Sequence, residues 1–551
     1  GRGSSYRRPV DFGNLGSEEL GSVYESLLEL HPNIDTDEGP FTLGTAAGNE
    51  RKTTGSYYTP TSLINCLLDS ALDPVVSEAI DVPDPAEAEQ KLLDLKVCDP
   101  ACGSGHFLIA AAERMAMHLA RLRTGDDQPN TLDVQHAKRD IIGRCIYGVD
   151  INPMAVELCK VSLWMEALEP GKPLSFLDHH IQCGNSLLGT TPRLLADGIP
   201  DDAFKPIEGD DKEVCADLKK DNKKQRKDYE AGYRDLHPLI NLGDLPREFA
   251  NLTRQIADTV GDNAAKAKRF SELVKNSNYE NAHLLADYWC AAFVWGKNES
   301  DIGKLCPTER DYRRLQAAPS SILPHVKDEV RRLAGSAREG GYQFFHWHLA
   351  FPDVLRLPEK NEPENEQTGW DRGFDVLLGN PPWERVKLQE REFFQERAPE
   401  IVAARTAALR GKLIDGLQSS NPDLYLEFKS AKRNAEGVTA LIRESNRFPL
   451  GGRGDINTYS VFAELNRTLL ASTGRAGCVL PSGLATDDTY KLFFQDLMAK
   501  GSIVSLLSFW EIRRFFVDTD SRDAFCLLTL TGPGHPSNDA AFAFDIRSIA
   551  E

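Results

Sequence analysis

The 551 residues contain no run of about 18 uncharged apolar residues, the length a membrane-crossing helix requires, so no membrane span is expected. The eleven cysteines include no Cys-x-x-Cys pair. They are scattered, and Cys98 and Cys102 lie in a stretch of small residues. A reduced, cytoplasmic protein without a zinc or other metal site is expected. The opening Gly1-Arg2-Gly3-Ser4-Ser5 has no apolar run, no signal peptide and no initiator Met, so a piece of a longer chain or a processed chain is expected. Basic residues are in deficit: 64 Lys and Arg face 83 Asp and Glu, for a net charge of −19. Freestanding nucleic-acid binders are usually basic, which counts against that class. The deficit is uneven. Residues 1–190 sum to −13 and residues 191–380 to −5, whereas residues 381–551 carry 21 basic against 22 acidic side chains. A polyanion is therefore expected on the C-terminal side or on a basic part outside this sequence.

No internal repeat or low-complexity tract stands out. With 41% hydrophobic and 27% charged residues, wholesale disorder is excluded, and the length calls for two or more lobes. Residues 14–30 read as a helix, because Leu20, Val23, Tyr24, Leu27 and Leu28 share one helical face. Residues 31–60 read as loop, a helix starts near Thr61, and the Pro- and acid-rich residues 74–90 read as a surface connection. Strand–turn–helix units follow: strand 92–98, turn 99–106, helix 107–121, strand 141–149, helix 153–168 and a short strand at 180–182. Another strand is expected at 374–378. The polar, helix-prone stretch between reads as an insertion whose charged residues 211–233 form a solvated surface, closed by the ordered return segment 344–355. Helices continue to about 440, a Gly-rich loop covers 451–455, and strands are expected at 476–480, 503–509 and 524–530. Alternating strands and helices predict an α/β fold with a doubly wound, mostly parallel sheet and a large helical insertion.

Four segments carry chemistry. The first is Asp99-Pro100-Ala101-Cys102-Gly103-Ser104-Gly105-His106-Phe107, where small residues at a strand end let a ligand approach backbone N–H groups at a helix start. It matches neither the triphosphate-loop spacing nor the full dinucleotide fingerprint. The second is Tyr147-Gly148-Val149-Asp150-Ile151-Asn152-Pro153. An acid ending the second strand suits ribose hydroxyls, and it also reads as a helix cap. The third is Gly184-Asn185-Ser186-Leu187-Leu188-Gly189, where Asn185 either meets the edge of an adenine ring or makes an Asx-turn. The fourth is Gly379-Asn380-Pro381-Pro382-Trp383. The prolines remove backbone donors and leave carbonyls outward. The Asn380 side-chain oxygen and the adjacent carbonyl can accept both hydrogens of one planar amino group, and Trp383 can stack on the base that bears it.

At these four segments, in this order and after a Tyr57-Tyr58-Thr59-Pro60 segment, the chain resembles the gamma-class adenine-N6 DNA methyltransferases. The resemblance runs from about residue 14 to about residue 531. It is nearest to the large methylase chains of type IIG restriction–modification and DISARM-like phage-defence systems, through residues 20–30, 344–355 and 454–459. BREX methylases rank lower, because their usual Thr-Gln-x-x-Thr-Pro opening is missing.

The resemblance implies a class I S-adenosylmethionine-dependent methyltransferase fold. It divides the chain into an N-terminal helical segment and cofactor lid (1–60), a cofactor-binding half (61–190), the insertion (191–343), a catalytic half (344–535) and the start of a connection to a further region (536–551). It implies that Tyr57, Thr59, Pro60, Asp99, Ala101, Gly103, Gly105, Phe107, Asp150, Ile151 and Asn185 hold S-adenosyl-L-methionine. Asn380, Pro381, Pro382 and Trp383 would hold a flipped adenine. The partners implied are double-stranded DNA and possible further defence-system subunits, with no metal and no membrane. Trp at 383 departs from the commoner Tyr or Phe and needs a wider slot.

No convincing Asp…Glu-x-Lys nuclease constellation is found, and residues 532–551 offer no candidate for a full recognition domain, so sequence recognition is expected from residues beyond Glu551 or from a partner. Arg443, Arg447 and Arg453 are candidate phosphate contacts, with surface solvation as their plain alternative. Two other classes stay open: methyltransferases of RNA amino groups or protein glutamine, usually shorter and without the insertion, and a non-catalytic DNA-binding scaffold, against which the intact Asn380–Trp383 and Asp99-Pro100 argue.

Overall fold

The computed structural model describes residues 30–34, 41–45, 59–173, 175–232, 242–255, 257–336, 340–358, 365–510, 515–516 and 524–549. The expected helix 14–30 lies outside them, except that Leu30 opens a strand. β1 (Leu30–Ile34) pairs antiparallel with β2 (Phe41–Thr45), so the segment read as loop contains a hairpin.

An eight-stranded sheet organises the rest. Its strands are β3 (Val97–Asp99), β4 (Ile146–Asp150), β5 (Ile181–Cys183), β6 (Phe374–Gly379), β7 (Leu470–Pro481), β8 (Ile503–Trp510), β9 (Ala524–Thr531) and β10 (Ala541–Ile546). The order across the sheet is β10-β8-β9-β7-β6-β3-β4-β5. β9 runs antiparallel to both neighbours and every other pairing is parallel. Successive side chains of a strand point to opposite faces, and both faces are buried in the central strands β3, β4 and β6. Cys98, Tyr147, Leu377 and Cys478 join one apolar core, while Val97, Ile146, Leu378 and Val479 join the other.

Three sequence expectations change. Residues 74–90 are helical, in Asp73–Ile80 and Pro85–Asp94. Pro74 and Pro85 sit in the first turns, where the missing N–H costs nothing, so they open helices rather than break them. The apolar run 92–98 is helix to Asp94, and 141–149 is helix to Cys145. In both, the end of a buried helix and the start of a buried strand are equally apolar, and periodicity could not divide them. Residues 541–546 add an edge strand, parallel to β8, in the segment expected to be a connection.

The insertion is not an appendage. Its charged helix Lys212–Gly232 exposes most of its side chains, as expected, but helix Ser277–Val294 is largely buried from Ala282 onward. Trp289, Phe293 and Trp295 belong to the same core as strand residues Tyr147 and Leu377. The return segment docks directly on the third motif: Phe344 bridges Asn185, and the Phe345 N–H donates to the Leu188 carbonyl at 2.6 Å.

The sheet reverses direction between β3 and β6. From β3 the chain steps outward to β4 and β5 on one side, and β6 and β7 lie on the other. Ligands of open α/β sheets bind at the carboxyl ends of the strands flanking such a reversal. There, Asp99 ends β3 and Gly379 ends β6.

Candidate active site

Asp99 is buried, and its Oδ1 accepts the Ala101 N–H at 2.9 Å, which turns the chain out of β3. Gly103 (φ 52°) and Gly105 (φ 92°) then take left-handed conformations that a side chain would resist, and helix His106–Thr124 begins. A Cβ on Gly103 would meet nothing within 4 Å, so the loop leaves open space above its backbone. Asp150 ends the neighbouring β4. Its Oδ2 accepts the Gly103 N–H at 3.0 Å and its Oδ1 accepts the Asn152 N–H at 2.8 Å. The helix-cap duty falls to Asn152, whose side chain accepts the Met154 N–H. Asp150 therefore ties the first two motifs together, which leaves the capping alternative to its neighbour.

Both carboxyls are shifted toward their neutral forms. Burial raises Asp99 to about 8, against the Ala101 hydrogen bond and with help from Asp150 nearby. Burial also raises Asp150, opposed by the N–H groups of Asn152, Gly103 and Ile151. Among the described residues no Lys or Arg forms an ion pair with either carboxyl. A buried and a half-buried acid with no facing cation among the described residues, beside a glycine loop with open space, fit a ligand that brings its own positive charge and hydroxyl groups.

The third motif closes the same loop from the side. The Ser186 hydroxyl donates to the Pro100 carbonyl at 2.6 Å, and the Trp347 indole N–H donates to the Ser186 carbonyl at 3.0 Å. The Asn185 side-chain oxygen accepts the Leu187 N–H at 3.1 Å, so the Asx-turn forms.

The fourth motif abuts the first. A Cβ on Gly379 would lie 2.7 Å from Asp99 Oδ1, so only glycine permits β6 to end against that carboxyl. Asn380 follows at once. Its Nδ2 donates to the Thr59 hydroxyl at 3.1 Å, while its Oδ1 is buried without a partner. Thr59, Asp99, Gly379 and Asn380 thus meet at one point, across 321 residues of chain from Thr59 to Asn380.

Trp383 packs inward, edge-on to Phe516 with ring centres 5.8 Å apart, and its indole N–H is buried without a partner. Ile151 lies at the rim, 44% exposed. Phe107 is buried in the core beneath the loop. Pro60 precedes helix Thr61–Leu67, and Tyr57 lies outside the described residues.

Sequence reasoning missed Thr458. Its hydroxyl donates to the Pro382 carbonyl at 2.5 Å, and its Oγ1 accepts the Glu384 N–H at 2.9 Å. Its own N–H donates to the Glu384 carbonyl at 2.8 Å, and the Val386 N–H donates to the Ile456 carbonyl at 3.0 Å. Segment 456–458 therefore clamps the loop 382–386. The sequence carried a signal for it, since Gly454-Asp455-Ile456-Asn457-Thr458-Tyr459 is one of the segments of the resemblance and had no role assigned. Arg447, read there as a surface candidate, is buried with its guanidinium amines unpartnered. Arg443, at the end of helix Pro422–Glu444, donates to the Gly454 carbonyl, and Arg453 donates to the Pro449 carbonyl of its own loop.

His283, Asp287 and His346 bring possible metal-ligand atoms within 4.8 Å of one another. The Thr190 N–H donates to His346 Nδ1 at 3.2 Å, which leaves the ring proton on Nε2, and Nε2 donates to Asp287 Oδ1 at 2.9 Å. This tautomer makes His346 a hydrogen-bond link between the insertion and the third motif, not a metal ligand.

Known proteins match along the same segments. The Eco57I restriction-modification methylase family matches residues 144–432, and the N-6 DNA methylase family matches residues 37–189. A Methanocaldococcus jannaschii protein whose name assigns it as a type II restriction enzyme and methyltransferase, RM.MjaORFECS2P, is 26% identical over 70% of this chain and 32% of its own length. The adenine-specific methyltransferase PglX of Streptomyces coelicolor is 35% identical over 28% of this chain and 10% of its own. The type II restriction enzyme and methyltransferase RM.Eco57I of Escherichia coli is 26% identical over 34% of this chain and 19% of its own. The chain thus spans a third or less of the length of these relatives. With the first family match covering more than half of its residues, this chain belongs to the Eco57I restriction-modification methylase family.

Proposed function

We propose that this chain transfers a methyl group from S-adenosyl-L-methionine to the N6 atom of adenine in double-stranded DNA, as part of a restriction–modification or phage-defence system. The observation that carries the reading is the buried, unpartnered Oδ1 of Asn380. A buried acceptor left unsatisfied costs about 1–3 kcal/mol, and it persists where a ligand donor completes it. The family match and the names of the relatives support the same reaction. The strand order, with one antiparallel strand between two parallel ones and helices on both faces, supports a doubly wound class I methyltransferase fold. In it, residues 61–190 form the cofactor-binding half, 344–535 the catalytic half and 191–343 the insertion.

Asp99, Ala101, Gly103 and Gly105 would hold the methionine part of the cofactor, with Tyr57, Thr59 and Pro60 closing over it. Asp150 would take the ribose hydroxyls, with Ile151 and Asn185 beside the adenine ring. When bound, the cofactor supplies a methyl group on a positively charged sulfur. The protein's own work is orientation. Asn380 Oδ1 and the Pro381 carbonyl accept the two amine hydrogens of the flipped base, concentrate lone-pair density on its nitrogen and stabilise the charge that develops there. The Asp99–Gly379 contact sets the two half-sites at the closest separation the backbone allows.

The test offers methyl-labelled cofactor to plasmid DNA, tRNA and protein. Label is expected in DNA as N6-methyladenine, and label confined to RNA or protein rejects the reading. Asn380→Ala should lower the transfer rate by about 100-fold or more while cofactor affinity by calorimetry stays unchanged.

A further inference from the structure

The terminal amide of Asn380 has two edges of nearly the same shape, and only one can serve a base amine. An amine donates, so the oxygen edge must face it. If the amide turned over, two donors would face each other and no bond would form. The orientation of this one torsion therefore decides whether the site works. The only side chain bonded to the Asn380 amide among the described residues is Thr59, whose hydroxyl accepts from Nδ2.

Thr59 is well placed for this. It is 4% exposed and is joined through Pro60 to helix Thr61–Leu67. The Pro60 carbonyl accepts the N–H groups of Leu63 and Ile64, so the start of the helix fixes the backbone that carries Thr59. Leu63, Ile64 and Leu67 are fully or almost fully buried in the core that also holds Val376 and Leu378 of β6. Hydroxyl and amide are thus mounted on two elements packed into one core.

We propose that Thr59 is a positioning residue for methyl transfer: its hydroxyl accepts the Asn380 Nδ2–H and so holds Oδ1 toward the target amine. This rests on the amino-group reading of Asn380 and gives Thr59 a role distinct from lining the cofactor. It also links the start of helix Thr61–Leu67 to the chemistry, because Asn380 is oriented only with Thr59 in place.

The test compares Thr59→Val, which keeps the shape and removes the hydroxyl, with Thr59→Ser, which keeps the hydroxyl. Single-turnover methylation is measured at saturating cofactor and DNA, and cofactor affinity by calorimetry. At saturating cofactor Thr59→Val should lose about 10- to 100-fold in rate, beyond any change in cofactor affinity, and Thr59→Ser should recover most of it. In an Asn380→Ala background, Thr59→Val should cost nothing further. Wild-type rates in Thr59→Val, equal losses in the Val and Ser variants, or a loss confined to cofactor affinity would each overturn the proposal. A crystal structure of Thr59→Val is the readout independent of turnover. The Asn380 amide should be rotated or displaced there, and an amide held in place overturns the proposal. A wild-type protein that methylates no adenine would instead remove the activity reading, with the Thr59 contact still judged by that structure.

Discussion

Asp99 sits where a charge is costly, at the buried end of β3 against Gly379. With its folded value near 8 against an ordinary 3.8, the folded protein keeps a proton that the unfolded chain has lost between about pH 4 and pH 8. The stabilising contribution is complete below that window, and stability falls as pH rises through it. Asp99→Asn should therefore raise the melting temperature of the unliganded protein at pH 8 and leave it unchanged at pH 4. A cationic ligand favours the ionised carboxyl, so binding of S-adenosylmethionine at pH 7 should release a proton. Calorimetry in buffers of different ionisation enthalpy measures this. Proton uptake, or equal release by Asp99→Asn, would place the linked group elsewhere. The sequence showed that an acid stood here, but its neutral form could not be read, since that depends on the β6 strand end, hundreds of residues away in the chain.

At the scale of elements, the loop carrying Asn380 and Trp383 is held by helix Thr458–Leu469. Thr458 makes the clamp, and from the same helix Glu464 reaches back to the Gly-rich loop. Glu464 accepts the Gly451 N–H at 2.6 Å and the Leu450 N–H at 3.3 Å. Thr458→Val should reduce methyl transfer about 10-fold through a looser loop, with cofactor affinity intact and activity restored by Thr458→Ser. An unchanged rate in Thr458→Val would show that the backbone bonds alone hold the loop. Burial raises Glu464 to about 7 against an ordinary 4.5, opposed by those two N–H groups. Here too the folded state holds the extra proton, so this contribution is lost as pH rises from about 4.5 through 7. Glu464→Gln should flatten that part of the stability profile in chemical denaturation. An unaltered slope would mean that Glu464 stays ionised in the folded protein.

For the whole molecule, charge sets the expectation. At −19 overall, with Arg447 buried and the exposed Arg443 and Arg453 each donating to a backbone carbonyl, phosphate contacts around the candidate site are expected to be few. Duplex affinity of these 551 residues should be weak and little dependent on sequence. In a mobility-shift titration its log–log salt slope should be shallower than about −4, as for a handful of phosphate contacts. Nanomolar, sequence-selective binding would show that a recognition surface is already present in this chain, with the insertion, which shares its core with the sheet, the first place to map it.

The sequence by itself determined the chemistry-bearing segments and their order, because glycine, proline, aspartate and asparagine at strand ends are dictated by local backbone geometry and short-range hydrogen bonds. It also determined the alternation of strands and helices, through periods of about two and about 3.6 residues. The tertiary structure alone decided where buried helices hand over to buried strands, since both are apolar there. It decided that β10 completes the sheet, and that the insertion belongs to the main core. Only packing brings Thr59, Asp99, Gly379 and Asn380 together, and only that meeting leaves one acceptor of Asn380 open and the carboxyl of Asp99 near neutral. Contacts across such chain distances depend on how sheet and helices close on each other, which no local pattern records.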